Sequence, residues 1–554
     1  MKASALENSL TKRLLDRELN AGNRVYLRQP RHGKWHEFTW AEVMQQARQV
    51  AFFLQSLGLK KGAHVAIFSK NCAEWFIADF GICLAGMVNV PLFPNQHEES
   101  IDYVLKHAEV KLVFVGKLDN HARQRSYIPE KIPTVSFDYH DDLATTHYWA
   151  DIRDAAPLQD IALPAADDLY TIIYSSGTSG TPKGVMFTHE AIDNYLTVFP
   201  DDLRRTVTRD HFHLISYLPL AHVYERSAIQ LGSLTIPCDV SFVESLDTFA
   251  DNLREIKPTL FAAVPRIWGV FKQKIEQKLS PHLLGFVLSI PFLSSHIQNK
   301  IKHQLGLDQC ANNFSGASHL PLSMSEFFEK LDLPIQEGYG QTENLAYATL
   351  SLLDERKPGY VGTPRLQVEI KQGDDNELLM KCPCLMKGYY KDPKASAEAF
   401  TDDGWFRTGD IVEIDDLNRV KILGRISENF KNQKGEFIAP SPIEKRFSSS
   451  KQIDNLCLVG RELPSNVLLV TLTEEAQNKP KDELKEHMQK KLHTINSKLE
   501  NYEKISHILI VKEQWTPENG LLTPTLKVKR REIEAHYHDF IQEAMEQSDA
   551  VVWE

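Results

Sequence analysis

Over the first 115 residues, apolar side chains switch repeatedly between helical and extended spacing. Residues 41–56 carry them at helical intervals, 63–68 form a short apolar run, 73–84 return to helical spacing, and 110–115 form the next run. A further run at 170–174, Tyr-Thr-Ile-Ile-Tyr, reads as a buried strand. Strands alternating with helices predict parallel sheets covered by helices, with ligands at the carboxyl ends of the strands. From there to about residue 422 the pattern shortens, with strands expected at 368–371 and 377–380. Past Gly424 and Arg425 comes a smaller unit: a charged loop, a helix from Pro442, strands at 455–459 and 467–471, and a charge-rich amphipathic helix over 481–499. The expected fold class is α/β, with a large N-terminal domain of helix-covered parallel sheets (1–424) and a smaller α+β domain (425–554).

Two apolar stretches need testing against a membrane. Residues 75–93 are interrupted by Asp79, Gly81, Gly86, Asn89 and Pro91, so a buried helix running into a strand is the expectation. Residues 282–293 are too short to span a bilayer and lie between Lys272, Lys274 and Lys278 on one side and Lys300 and Lys302 on the other. A core-facing or lid helix is the first reading of this stretch, and peripheral contact with an anionic membrane face the second. The net charge of −11 argues against a general nucleic-acid binder. Seven cysteines without a Cys-x-x-Cys pair, and an N-terminus lacking an apolar signal core, point to a reducing cytoplasm. A homodimer is compatible with the chain, whose oligomeric state the sequence leaves open.

Candidate chemistry concentrates at residues 174–184, Tyr-Ser-Ser-Gly-Thr-Ser-Gly-Thr-Pro-Lys-Gly. Gly177 and Gly180 let the backbone turn its N–H groups toward an anion, Ser175, Ser176, Thr178, Ser179 and Thr181 add hydroxyl donors, and Lys183 adds a mobile positive charge. That composition at a strand end predicts a phosphate-binding loop, but not a P-loop, which needs Gly-Lys-Ser/Thr.

These residues resemble the signature loop of the adenylate-forming enzymes, the superfamily of acyl-CoA synthetases, luciferases and peptide-synthetase adenylation domains. Further segments follow in that family's order: 217–225 (Tyr-Leu-Pro-Leu-Ala-His-Val-Tyr-Glu), 315–318 (Ser-Gly-Ala-Ser), 336–343 (Gln-Glu-Gly-Tyr-Gly-Gln-Thr-Glu), 404–410 (Gly-Trp-Phe-Arg-Thr-Gly-Asp), Gly424-Arg425, and 522–530 (Leu-Thr-Pro-Thr-Leu-Lys-Val-Lys-Arg). The resemblance spans about residues 25–537 and implies ATP, Mg²⁺ and coenzyme A as reactants. It implies that the 175–183 loop grips the β- and γ-phosphates and that Gly316 and Ala317 pack against adenine. Glu337, Gly338, Tyr339 and Gly340 line the nucleotide site, Thr342 bonds the α-phosphate, and Glu343 holds Mg²⁺. Asp410 accepts from the ribose, Arg425 adds cationic donors, and Lys527 is the mobile catalytic lysine on a C-terminal domain that rotates between half-reactions. Lys434 and Gly435 are similar to the loop presented in the second, thiol-accepting state. His222 stays open between a core histidine and a group beside the acyl carboxylate.

Three departures from the family pattern stand out: Ser427 where the hinge usually has Asp or Lys, Ser318-His319 where Ala-Pro is common, and Asn376 and Cys382 where glycines are common. The long-chain acyl-CoA synthetase branch is the nearest resemblance, through residues 90–94, 262–268, 386–400 and the threonine-rich approach to Lys527. A medium- to long-chain fatty acid is therefore the expected substrate. The alternatives are an acyl-AMP ligase serving a carrier protein, which the 27 residues after Lys527 are too few to include, and an inactive nucleotide-binding scaffold.

Overall fold

The computed structural model describes residues 9–140, 142–175, 182–447 and 450–554. Among these, the largest sheet has eight strands and is built around His64–Phe68. Val88–Leu92 and Leu112–Val115 pair parallel to it on its two sides, and Leu169–Ser175 extends the parallel set beyond Val88–Leu92. The chain then reverses. Lys183–Thr188 runs antiparallel against Leu169–Ser175, placing Ser175 directly opposite Lys183. The candidate phosphate loop thus lies at the carboxyl end of a parallel strand, as expected, but within a hairpin. Its central residues, Ser176, Gly177, Thr178, Ser179, Gly180 and Thr181, lie outside the described residues.

Two other sheets are parallel over three strands. One contains Leu260–Ala263, Asn312–Ser315 and Ile335–Tyr339, and the other contains Phe212–Ser216, Cys238–Phe242 and Val25–Arg31. The expected short strands appear as Glu369–Gln372 and Glu377–Lys381, in an antiparallel sheet with Phe406–Ile414 and Val420–Arg425. Beyond residue 430 a separate four-stranded sheet (Ile453–Val459, Asn466–Leu472, Ile505–Ile510, Val551–Trp553) is covered by Lys481–Asn496. That helix buries Leu484, Met488, Leu492 and Ile495 along one face, which is why its sequence is charged yet ordered.

The stretch at 75–93 is a buried helix, Ala73–Leu84, followed by the buried strand Val88–Leu92. No helix among the described residues is long and apolar enough to cross a membrane. Gly81 lets this helix touch Trp40–Ser56, because a Cβ there would lie 2.5 Å from Val50. Within it, Asp79 is fully buried. Its carboxylate accepts from Arg226 (2.6 Å), Asn89 (2.5 Å), Tyr170 (2.5 Å) and Gln230 (2.7 Å). The equally buried Arg226 lies between the rings of Trp75 and Tyr170, 5.2 and 5.1 Å from its guanidinium carbon. Asp79→Ala would strand that cation in the core and is expected to cost about 3–5 kcal/mol. Urea denaturation checks this; a loss below about 1 kcal/mol would show the pair to be dispensable.

The 282–293 stretch meets the core only in part, through Leu284 and the partly buried Leu288. It folds as the helix Pro281–Leu288 and the start of Pro291–Leu305, and of its apolar side chains only Leu284 is buried among the described residues up to 293. Phe286 is 65 % exposed and Phe292 95 % exposed.

Candidate active site

A single cleft of ≈ 690 Å³ runs between the carboxyl ends of the parallel strands and the C-terminal sheet. Ser175 reaches it from the end of its strand. Lys183, across the hairpin, holds its ammonium 4.8 Å from the centre of the Tyr389 ring, and Tyr389 donates its hydroxyl to Glu343 Oε1 at 2.9 Å. The lysine of the candidate phosphate loop and the candidate metal carboxylate therefore share one tyrosine as a neighbour.

The turn after the strand Asn312–Ser315 carries Gly316 and Ala317, and Ala317 adopts a left-handed φ of 67°. A Cβ on Gly316 would press to 3.3 Å from the carbonyl oxygen of Gly338 in the adjacent strand, so glycine keeps the two strand ends in register at the cleft floor. Gly340 is more constrained, since a Cβ there would come within 2.4 Å of the Ala346 backbone. Gly338, Tyr339, Gly340, Thr342 and Glu343 all line the cleft. Glu337 does not stand with them. Its carboxyl is buried, and that burial raises it to about 7.

Asp410 is the best-held acid of the cleft. Arg425 Nε lies 2.8 Å from its Oδ1, while the Tyr339 hydroxyl (2.5 Å) and the Gln341 amide (2.6 Å) donate to Oδ2. Asp410 and Arg425 face one another across the antiparallel strands Phe406–Ile414 and Val420–Arg425, so the pairing is set by sheet register. The Asp410 charge drives the Arg425 guanidinium above its ordinary value.

Lys527 sits on a tight turn closed by its own backbone: Lys527 N–H donates to Thr523 Oγ1 at 3.0 Å, and Leu526 is left-handed at φ 62°. Asn95, from the large sheet's side, donates to the Pro524 carbonyl at 3.2 Å, and the ion pair of Arg530 with Glu444 (2.6 Å) holds the other end of the turn. The side chain opens into the cleft, where water still reaches it. Enclosure by the surrounding walls lowers its pKa first, then Arg425, with Asp410, Glu428 and Glu343 opposing. His222 caps a helical turn, its Nδ1 accepting from the Tyr224 N–H at 3.2 Å. Enclosure, and next the charge of Lys527, push His222 down to about 3, so a neutral imidazole lines the cleft near the lysine. Lys434 and Gly435 stand apart, in the exposed turn between Phe430–Lys431 and Phe437–Ile438, where Asn432 Oδ1 accepts the Lys434 N–H at 3.0 Å.

One end of the cleft is apolar, lined by Phe199, Leu203, Leu214, Ile229, Ile236 and Leu260. Ile229 comes from a π-helical turn, Arg226–Leu231. Sequence reasoning missed Gln341 and Tyr389, the neutral donors that hold Asp410 and Glu343. Both stood inside segments already singled out, but nothing in a glutamine or a tyrosine alone marks it as a carboxylate's partner.

Residues 17–390 match the AMP-binding enzyme family, and residues 431–549 match the AMP-binding enzyme C-terminal domain. The chain is 28% identical to the long-chain-fatty-acid–CoA ligase FadD15 of Mycobacterium bovis over 90% of both chains. It is 30% identical to the long-chain-fatty-acid–CoA ligase ACSBG2 of Rattus norvegicus, over 81% of this chain and 75% of that one. Among solved structures, the adenylation domain of a carboxylate reductase from Mycobacterium chelonae shares the fold at a TM-score of 0.80 and 21% identity, over 98% of this chain and 93% of that one. With most of its length inside the family match and Gly316, Ala317, Tyr339, Thr342, Glu343, Asp410, Arg425 and Lys527 along one cleft, the chain belongs to the AMP-binding enzymes, in their long-chain acyl-CoA synthetase branch.

Proposed function

We propose that the chain joins a medium- to long-chain fatty acid to AMP and then passes the acyl group to coenzyme A. The observation that carries this reading is the continuity of one cleft, from the Asp410–Arg425 pair past Glu343 and Lys527 into a largely apolar end, where the nearby Arg365 is already paired with Asp202 at 2.6 Å.

In the first half-reaction a carboxylate oxygen of the fatty acid attacks the α-phosphorus of ATP, the bond to the β-phosphate breaks, and pyrophosphate leaves. Asp410 accepts from the ribose hydroxyls while Tyr339 and Gln341 fix its orientation. The loop from Ser175 to Lys183 and the hydroxyl of Thr342 hold phosphate oxygens. Glu343, a carboxylate on the cleft wall already oriented by Tyr389, fits Mg²⁺, which favours few carboxylates together with phosphate oxygens and water. When bound, that ion neutralises phosphate charge. Lys527 places its ammonium where negative charge builds on the carboxylate and bridging oxygens, and the neutral His222 stands beside the acyl carboxylate. In the second half-reaction the thiol sulfur of coenzyme A attacks the acyl carbonyl and AMP leaves. Residues 425–554 act as the moving unit: rotation about Arg425–Ser427 would withdraw Lys527 and carry the exposed Lys434-Gly435 turn toward the acceptor.

AMP release from ATP and palmitate, with and without coenzyme A, tests the whole reading. Turnover stimulated by coenzyme A supports it, and acyl-AMP that accumulates without such stimulation would transfer the acceptor role to a carrier protein. Chain length is read by the apolar end, so Ala262→Trp, which fills part of it, is expected to lower kcat/KM for palmitate by about 10–200-fold while sparing shorter acids. A comparison of acids of increasing length checks this; an equal loss for all of them would place the chain elsewhere.

The exposed helix pair around Phe286 and Phe292, framed by lysines, is proposed to rest on an anionic membrane face, from which fatty acid can enter. Replacing both phenylalanines by serine is expected to weaken binding to phosphatidylglycerol vesicles by about tenfold or more. Undiminished vesicle binding would discard that surface.

A further inference from the structure

On the outer face of the sheet that holds Phe212–Ser216 and Cys238–Phe242, three side chains form a donor set that the adenylation chemistry does not use. Phe212–Ser216 is an edge strand, and its parallel register sets His213 directly opposite Asp239. His211, two positions earlier, falls on the same face because extended side chains repeat every second residue. His211 Nε2 lies 2.9 Å and His213 Nδ1 2.7 Å from the same atom, Asp239 Oδ1. The imidazoles are about half exposed, at 45% and 48%, whereas the carboxylate is nine-tenths buried, at 8%. Its second oxygen, Oδ2, is buried without a hydrogen-bond partner among the described residues. A buried carboxylate oxygen without a partner is costly in a folded chain.

Among the described residues this is the one group of three or more His, Cys, Asp or Glu side chains with its ligand atoms close enough to share an ion. Ligands about 2.0–2.2 Å from a divalent ion lie about 3–3.5 Å from one another. The two His–Asp separations are slightly shorter and all three ligand atoms lie within 4.8 Å of one another, so small side-chain rotations would admit an ion between the donors. The donor chemistry selects which ion. Imidazole nitrogen suits Zn²⁺, Cu²⁺ and Ni²⁺, whereas Mg²⁺ and Ca²⁺ call for oxygen ligands.

We propose that His211, His213 and Asp239 form a binding site for a divalent transition-metal ion of the Zn²⁺ class, held by two imidazole nitrogens and one carboxylate with water completing the coordination. The ion ties together the amino ends of two neighbouring strands. The residue after His213, Leu214, points to the opposite face and lines the apolar end of the cleft. The site thus stiffens the wall against which the acyl chain packs, without contributing a group to the reaction. Its metal-binding does not depend on the acyl-CoA synthetase reading.

The test is titration calorimetry of the full-length, tag-free, chelator-treated protein with Zn²⁺, and with Mg²⁺ as the control ion. The wild type is expected to bind one more equivalent of Zn²⁺ than His211→Ala/His213→Ala, while Mg²⁺ binding is the same in both. Co²⁺ is expected to develop visible d–d absorption in the wild type that the double variant lacks, and Zn²⁺ to raise Tm only where the histidines are present. Both histidines are half exposed, and unchanged circular dichroism of the double variant confirms its fold. Asp239→Asn, which keeps the side chain's size, is expected to weaken Zn²⁺ binding about tenfold or more. Equal Zn²⁺ stoichiometry in wild type and double variant, or no Zn²⁺ binding by the wild type, overturns the proposal.

Discussion

Replacing Lys527 by alanine is expected to slow acyl-adenylate formation by about 10²–10³-fold, while acyl transfer from supplied acyl-AMP to coenzyme A stays near the wild-type rate. The asymmetry follows from where the lysine is held. Asn95 pins its turn to the large sheet's side of the cleft, and the ammonium shares the site with Arg425, Asp410, Glu428 and Glu343. On the proposed mechanism it would meet the negative charge that builds on the carboxylate and phosphate oxygens in the first half-reaction and would have no part in the second. ATP–pyrophosphate exchange isolates the first step, and undiminished exchange in the variant would remove the lysine from the chemistry. The same group sets the alkaline limb of the pH profile. Its pKa is lowered, so it sheds its proton earlier on raising pH than an ordinary lysine with a pKa near about 10.4. Adenylation should fail on that limb at a lower pH than a free lysine would dictate, and the limb should vanish in Lys527→Ala. His222, already neutral with a pKa pushed to about 3, should add no inflection between pH 5 and 9, on the order of the range usually scanned.

Asp410→Asn should raise the KM for ATP by about 10–100-fold and lower stability by about 1–3 kcal/mol. The wild-type carboxylate takes three side-chain donors, from Arg425, Tyr339 and Gln341, which hold it in place and leave about one of its roughly four acceptor sites for a ribose hydroxyl. An amide offers one acceptor oxygen in place of two and turns two N–H groups toward those donors. Arg425 then loses its anion, and Tyr339 or Gln341 loses its acceptor. Initial-rate kinetics and thermal denaturation separate the two effects. An unchanged KM for ATP with reduced stability would leave Asp410 a purely structural acid.

Much of this architecture is legible in the residues because burial dictates it. The helix Ala73–Leu84 is apolar but for Glu74 and Asp79, too rich in large apolar side chains to lie uncovered, and the strands at 64–68 and 169–175 are mostly apolar runs too short to be helices. The hairpin at Ser175 and Lys183 is not legible, because glycines and hydroxyls permit an antiparallel return as readily as a crossover. The 282–293 stretch misleads for a related reason: its composition is that of a core helix, and only the fold shows that it meets the core through little more than Leu284 and Leu288 while Phe286 and Phe292 stay exposed. In the site, the charged residues announce themselves by type and spacing. Their neutral partners do not, since Gln341 and Tyr389 act only through geometry that tertiary packing supplies. Glu337 shows the converse, an acid within a recognisable segment whose carboxyl is buried away from the cleft lining.

Asp79 also carries a consequence for how the chain is made. Its partners span residues 89 to 230, and Arg226 lies 147 positions away in sequence. While the chain emerges from the ribosome, the helix Ala73–Leu84 cannot bury this carboxylate with its counter-ion until the segment up to Gln230 has been synthesised. At roughly 5–20 residues per second that delay is on the order of ten seconds, during which a strongly apolar helix and its neighbouring strands wait exposed. The first half of the large sheet is therefore a natural client for a chaperone acting at the ribosome exit, and truncated chains ending before Arg226 should be captured and degraded where chains ending after Gln230 begin to resist proteolysis.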